Sequence, residues 1–377
     1  MPAMRCILPI LLVAAAAPAQ TVWSVPGTFA QIHQALAAAQ PGDVVEVASG
    51  NYQPFAVTAG VTIRGVGNVA PGIALGGPVT FDVPAGQQAY VFHLNLYSGT
   101  EVRQGSVAFE RCRFDAAPAG LVVAPQGECI LMQCSLGTAV GPRDGAHVRG
   151  RLAAMQTTFD GGASWIQLGG TAVVVDGGSV QFADCRLRGG PAVLPQVPAT
   201  DALVVLAGAA WLADCTVAGG DSQVSAGGAG IRNQTNTPIH TSRTTVTGGA
   251  GTVPGAATLG PHAPTAGLLG IWPILNGLAR GSASALRPIG PAGTPVFYCV
   301  ALRAEVLTHP ALAAPCWLGG GGDLLGIGVL DANGQEALPF AVPNLNWLRD
   351  VRLFFQVYGL DGQAILQSTP PVACLVQ

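Results

Sequence analysis

Asp184 and Asp214 occupy the same place in two consecutive copies of a repeated motif, VQFADCRLRGG and AWLADCTVAGG. Carboxylates so related stack as neighbours at a corner, and two close carboxylates either raise one pKa or hold a cation such as Ca2+. The same motif position carries Arg111, Gln133, Gln156 and Arg243, so a ladder of solvated corner residues accounts for the pair without function. The densest ionisable cluster is Arg143-Asp144-Gly145-Ala146-His147-Val148-Arg149-Gly150-Arg151, which leads into a strand. His147, Arg149 and Arg151 are its candidates for acid–base work, against the plainer alternative of a charged loop that keeps the chain soluble. Trp165, in GGASWIQLGG, is a candidate sugar-stacking platform or an aromatic packed under a turn.

Cysteines offer a second kind of chemistry. Cys112, Cys134, Cys185 and Cys215 share one motif position with Thr157 and Thr244, so they are expected as small buried core groups. Side-by-side Cβ vectors suit a disulfide poorly. A four-cysteine zinc site needs tetrahedral convergence, usually through CxxC pairs, and the chain has none. Towards the C-terminus, Cys299 and Cys316 can close a loop, with Cys374 as the competing partner.

These positions are set by a repeat. VAFERCRFDAAPAG, at 107–120, recurs as CILMQCSLG, LAAMQTTFDGG, VQFADCRLRGG, AWLADCTVAGG and IHTSRTTVTGG. The anchors Cys112, Cys134, Thr157, Cys185, Cys215 and Thr244 follow one another at steps of 22, 23, 28, 30 and 29 residues. Self-similarity at that spacing predicts a solenoid. Apolar residues fall five and three positions before the anchor and two after it, for example Val107, Phe109 and Phe114. Steps of two are strand alternation, and the step of three between position −3 and the anchor predicts a bend. Each unit is therefore two short strands around a corner, stacked on the next at about 4.8 Å.

Ahead of the repeat, Thr28–Gln40 places Phe29, Ile32, Leu36 and Ala39 on one helical face, with Thr28 as N-cap and Pro41-Gly42 as the stop. A helix over the open apolar end of a solenoid acts as its cap. The opening PGDVVEVASGNYQPFAVTAGVTIRG resembles the first coils of secreted right-handed parallel β-helix proteins of the pectate lyase-like superfamily, a likeness extending over about 21–250. That resemblance implies a polysaccharide lyase with an Arg base and Ca2+, or a glycosidase with clustered carboxylates. Arg149 or Arg151 facing Asp184 would meet the first. The 14 acidic residues from Asp43 to Asp221 contain no Asp-Asp pair for the second.

The remaining sequence bounds compartment and organisation. Arg5, the apolar run Ile7–Ala17 and Ala17-Pro18-Ala19 predict a signal peptide over 1–19, taking Cys6 with it. No later run is long enough for a membrane helix. All 17 basic residues are Arg and the net charge is −3, which argues against nucleic acid. The expected organisation is a β-helix at 20–249, a Gly/Ala/Pro linker at 250–267 and a C-terminal β-sandwich at 268–377, whose segments around Val342-Pro343, Phe354-Phe355-Gln356 and Ser368-Thr369 resemble β modules appended to secreted bacterial proteins. The expected function is that of a monomeric secreted or cell-surface protein, non-catalytic and without a required cofactor, that binds polysaccharide or a cell-envelope protein along the solenoid. The alternative is the lyase.

Overall fold

The structure, a computed structural model, describes residues 20–376 apart from 75, 116–118, 138–143, 164–168, 193–197, 266–267, 273–277, 308–313, 319–321, 346–347, 350 and 361–365. The expected signal peptide, Arg143 and Trp165 lie outside the described residues. Two compact units divide the chain, Thr21–Leu268 and one that contains Leu269–Gln377.

The first unit is a parallel β-helix. One long sheet runs through Val22–Val25, Val44–Val47, Thr62–Gly65, Gln88–Phe92, Thr100–Glu110, Ala119–Met132, Asp144–Val148, Val173–Ala183, Leu203–Ala213, Ile231–Asn233 and Thr258–Leu259. A second sheet runs from Asn51–Tyr52 to Thr245–Thr247. Each motif copy contributes one strand to each sheet, and its apolar positions stack in register. Phe109, Leu131, Ala154, Phe182, Leu212 and Thr241 form one rung-to-rung ladder. Phe114, Leu136, Phe159, Leu187, Val217 and Val246 form another. Most of these side chains are fully buried in one continuous core, because each coil closes only its own circumference and needs its neighbours to exclude water from above and below.

The bend between position −3 and the anchor lies at position −1. His93, Arg111, Gln133, Gln156, Asp184, Asp214 and Arg243 all have φ between 46° and 57°, the left-handed region that turns the chain sharply. The anchor side chain then serves the corner. Cys134, Cys185 and Cys215 Sγ donate to the carbonyls of Met132, Ala183 and Ala213, as Thr157 and Thr244 Oγ1 do to those of Met155 and Ser242. Hydroxyl and thiol are exchangeable because both supply that one donor. Complete burial pushes the Cys112, Cys129 and Cys215 thiols well up, so they are inert.

Three expectations need correction. The helix spans Ile32–Ala38, with Gln31 rather than Thr28 as its N-cap, and Gln34 Oε1 accepts the Gln31 N–H at 3.1 Å. It buries Ile32 and Ala35 in the solenoid core, with Phe29 and Leu36 partly buried against it. Residues 250–267 are not a bare linker. Thr258–Leu259 pairs with Ile231–Asn233, and His262–Pro264 with Ile239–Ser242, so the solenoid continues to Leu268. Backbone hydrogen bonds from Gly230 and Ile231 to the carbonyls of Ala256 and Ala257 hold this coil, which lacks the anchor and the apolar alternation. Finally, the Arg143–Arg151 cluster is mostly strand: Asp144–Val148 and the start of Arg151–Met155, with a corner between them.

Among the described residues, the second unit has two antiparallel sheets. Gly270–Trp272, Ala283–Ile289 and Leu338–Ala341 form one; Asp323–Val329, Pro295–Ala301, Arg352–Leu360, Leu366–Ser368 and Val372–Leu375 form the other. Phe340 of the first meets Phe355 of the second at 5.4 Å between ring centroids. Asp331–Gly334 forms a turn between Asp323–Val329 and Leu338–Ala341, closed by the Gly334 N–H on the Asp331 carbonyl. It joins strands of different sheets, so it makes a crossover and not a hairpin.

Candidate binding face

The left-handed corner carries a side-chain relay. Arg111 Nε donates to Gln133 Oε1 at 3.1 Å, Gln133 Nε2 to Gln156 Oε1 at 3.3 Å, and Gln156 Nε2 to Asp184 Oδ2 at 2.9 Å. From the other end, Arg243 grips Asp214 through Nε and Nη2, at 2.7 and 2.8 Å. Asp184 and Asp214 are thus on adjacent rungs, as the repeat predicts, but each is already an acceptor for a neighbour. Ca2+ takes 6–8 oxygens. Both oxygens of Asp214 are engaged, and the described residues contain no group of three His, Cys, Asp or Glu able to hold a metal. The pair does not fit a calcium site.

Arg149, Arg151 and His147 do not converge on Asp184. Arg149 Nε lies 3.4 Å from Asp176 Oδ2, and His147 Nε2 lies 3.9 Å from the same oxygen. Arg151 instead donates to Glu128 on the preceding rung at 2.8 Å. Each pairing follows from register: Arg151 stands beside Glu128, and Asp176 follows Val175, the rung partner of Val148. Asp144 completes the group. Its Oδ1 accepts the Thr171 N–H at 2.7 Å, and burial raises its carboxyl pKa against the opposing pull of that bond and of His147. The same device recurs at Asp201, which accepts the Ala229 N–H at 2.6 Å and pairs with Arg232.

These groups border one outward row of the long sheet. Glu101, Val122, His147, Val174, Val204 and Arg232 stand in register over six rungs, every one half-buried. The result is a narrow apolar strip, Val122, Val174 and Val204, interrupted by His147. At its borders are guanidiniums and carboxylates held in place by ion pairs. Among the described residues it has no nucleophile beside a base and no close pair of unengaged carboxylates. It presents apolar surface alternating with hydrogen-bonding side chains.

A backbone feature of the solenoid escaped sequence reasoning. Hydrogen bonds run from Gly255 to Gly249, Gly228, Gly220, Thr200, Gly190, Gly170 and Gly162, each N–H donating to the next carbonyl at 2.8–3.1 Å. Four coils meet this spine at Gly-Gly 161–162, 189–190, 219–220 and 248–249, and meet it again at Gly170, Thr200, Gly228 and Gly255. A Cβ on Gly220 would lie 2.1 Å from the Gly190 carbonyl oxygen, so the stack admits no side chain there. The recurrent GG two residues after Phe159, Leu187, Val217 and Val246 was the available signal. Asp176 and Asp201 were also missed, because their partners are set by rung register and not by proximity in sequence.

No protein-family model matches the chain, and no curated protein does. Among solved structures, the Dettilon tailspike protein (gp208) is 11% identical, with 90% of this chain and 78% of that chain covered at a TM-score of 0.33. Tailspike protein 2 (TSP2, ORF211) from Escherichia coli O157:H7 bacteriophage CAB120 is 8% identical, covering 94% of this chain and 64% of that chain at a TM-score of 0.27. No helix among the described residues is long and apolar enough to cross a membrane.

Proposed function

We propose that the chain is an exported, monomeric β-helix protein that binds an extended polysaccharide along the side face of its solenoid, without catalysing a reaction on it. The observation that carries this reading is the in-register row Glu101, Val122, His147, Val174, Val204 and Arg232, bordered by the Arg149–Asp176 and Arg151–Glu128 pairs. Apolar surface interleaved with fixed donors and acceptors suits a ligand that carries both C–H faces and hydroxyls. Repetition from rung to rung suits a linear polymer. The helix Ile32–Ala38 is read as the cap of the solenoid's first coil, the two antiparallel sheets after Leu268 as a small sandwich, and residues 1–19 as the export signal.

Affinity electrophoresis against a panel of neutral and uronate-containing polysaccharides tests the reading. His147→Ala combined with Arg149→Ala is expected to weaken the retarding interaction at least about tenfold, the loss of one or two hydrogen bonds to ligand. Absence of retardation by every polysaccharide, or equal retardation of wild type and variant, overturns it. Lyase action draws no support from the placement of Arg149 and Arg151, since both guanidiniums are engaged by carboxylates. Unsaturated products absorbing after incubation with uronate polysaccharide and Ca2+ would restore it.

A further inference from the structure

The C-terminal unit holds three cysteines whose pairing the sequence leaves open. Cys299 lies in Pro295–Ala301 directly opposite Gln356, and Tyr358 lies directly opposite Phe297, with no register shift between these strands. Directly opposite residues of an antiparallel pair project to the same face, with Cβ atoms about 4.5–5.5 Å apart. Cys299, Gln356 and Tyr358 therefore share one face. Cys374 stands opposite Leu353, three positions from Gln356, and so projects to the other face of the sheet.

Cys316 is held over the first face by its neighbours. Gln356 Oε1 accepts the Trp317 N–H at 2.8 Å, and Gln356 Nε2 donates to the Pro315 carbonyl at 3.3 Å. The backbone of Cys316 exchanges two hydrogen bonds with Leu307, of 2.7 and 3.1 Å. Its Sγ lies 2.7 Å from Tyr358 Oη, which itself donates to Gln356 Oε1 at 2.6 Å. Cys316 is thus pinned on both sides to the residue opposite Cys299, with its sulfur in contact with Tyr358 on the same face. Electrostatics reports the same proximity: the Cys299 thiol is pushed up to about 11, first by burial, then by Cys316 and Asp323. Both thiols are free in the structure.

We infer that Cys299 and Cys316 form a disulfide that staples the segment between them onto the sheet face, with Cys374 excluded. The inference rests on the export reading for its compartment, since such bonds persist where the surroundings are oxidising. The step is thiol–disulfide exchange with a donor disulfide. One cysteine thiolate attacks a donor sulfur and expels a donor thiolate; the second attacks the mixed disulfide and expels the other. Two protein thiols are oxidised, the donor is reduced to two thiols, and the two protons pass to the departing thiolates.

The full chain, reduced and then exposed to oxidised glutathione, is blocked with iodoacetamide and mapped by mass spectrometry without reductant. The expected result is loss of two titratable thiols and a linked peptide pair containing Cys299 and Cys316. Cys299→Ser or Cys316→Ser should abolish the pair, and Cys374→Ser should leave it. Full alkylation of both cysteines after oxidation, or a link that includes Cys374, overturns the inference. Because oxidation is imposed on purified protein, the outcome does not depend on export. Retention of residues 1–19 on chain recovered from cells would instead overturn the export reading alone.

Discussion

Thr157 Oγ1 donates to the carbonyl oxygen of Met155 at 3.0 Å, and it also accepts the backbone N–H of Cys134 at 3.3 Å from the neighbouring rung. The anchor thus supplies a polar group to a corner where residue 156 has turned left-handed. Thr157→Val keeps the volume and removes both bonds, leaving a buried carbonyl with one donor fewer and a buried N–H with none supplied by that side chain. A loss of about 1–3 kcal/mol is expected. Thr157→Cys, which restores the arrangement of Cys134 and Cys185, is expected to cost less. Urea midpoints of the two variants check this, and equal losses would refute the donor role.

Gly220 tests the glycine spine. An alanine Cβ there would stand 2.1 Å from the Gly190 carbonyl oxygen, and backbone on a stacked coil has no room to retreat. Gly42 provides the contrast: its φ of +96° strains any side chain, yet nothing lies within 4 Å. Gly220→Ala is expected to destabilise the solenoid by about 3 kcal/mol, and Gly42→Ala by about 1 kcal/mol. Thermal unfolding of the two variants gives the comparison, and a smaller shift for Gly220→Ala would sink the packing argument.

The solenoid was legible because its determinants are local and repeated. Four inward positions and a three-residue step recur in Val107–Phe114 and its copies, and each copy shows the same bend. The last coil was not legible. Thr258–Leu259 and His262–Pro264 join the long sheet through backbone hydrogen bonds, which leave no apolar signature in sequence. The site was legible only in its residue types. His147 and Arg149 stand out in sequence as part of an ionisable cluster, but their partner Asp176 is nearly thirty residues away, and only rung register brings it near. Asp184 and Asp214 were placed correctly on adjacent rungs. Their neighbours Gln156 and Arg243 decide their chemistry, and those sit at the same motif position, where a single sequence reveals stacking order but not which side chain donates.

Asp144 makes stability depend on pH. Burial is the larger influence and raises its carboxyl above the ordinary 3.8, despite the Thr171 N–H and His147. The folded value therefore exceeds the unfolded one, so folding favours the protonated acid. Its contribution is fully present below the unfolded value and is lost as pH rises through the raised folded value. Asp144→Asn keeps an acceptor for the Thr171 N–H and carries no charge at any pH. The variant is expected to match wild type in acid and to unfold at higher urea than wild type near neutrality. Urea midpoints across that range check the sign, and a variant less stable near neutrality would reverse it.

Gln156 isolates what the left-handed corner demands. Its φ is 47°, and its side chain links Gln133 to Asp184 in the corner relay. Three substitutions separate backbone from side chain. Gln156→Ala cuts the relay but keeps a Cβ; Gln156→Gly cuts the relay and also relieves the left-handed conformation; Gln156→Val cuts it and adds β-branching, which this region tolerates least. The relay is solvent-facing, so its loss alone is expected to cost no more than about 1 kcal/mol. Gly is expected to be the most stable of the three, and Val is expected to fall below Ala by about 1–2 kcal/mol. Denaturation midpoints rank them. Equal midpoints for Ala and Val would mean that residue 156 leaves the left-handed region in solution, and the corner geometry shared by Asp184 and Asp214 would then need another cause.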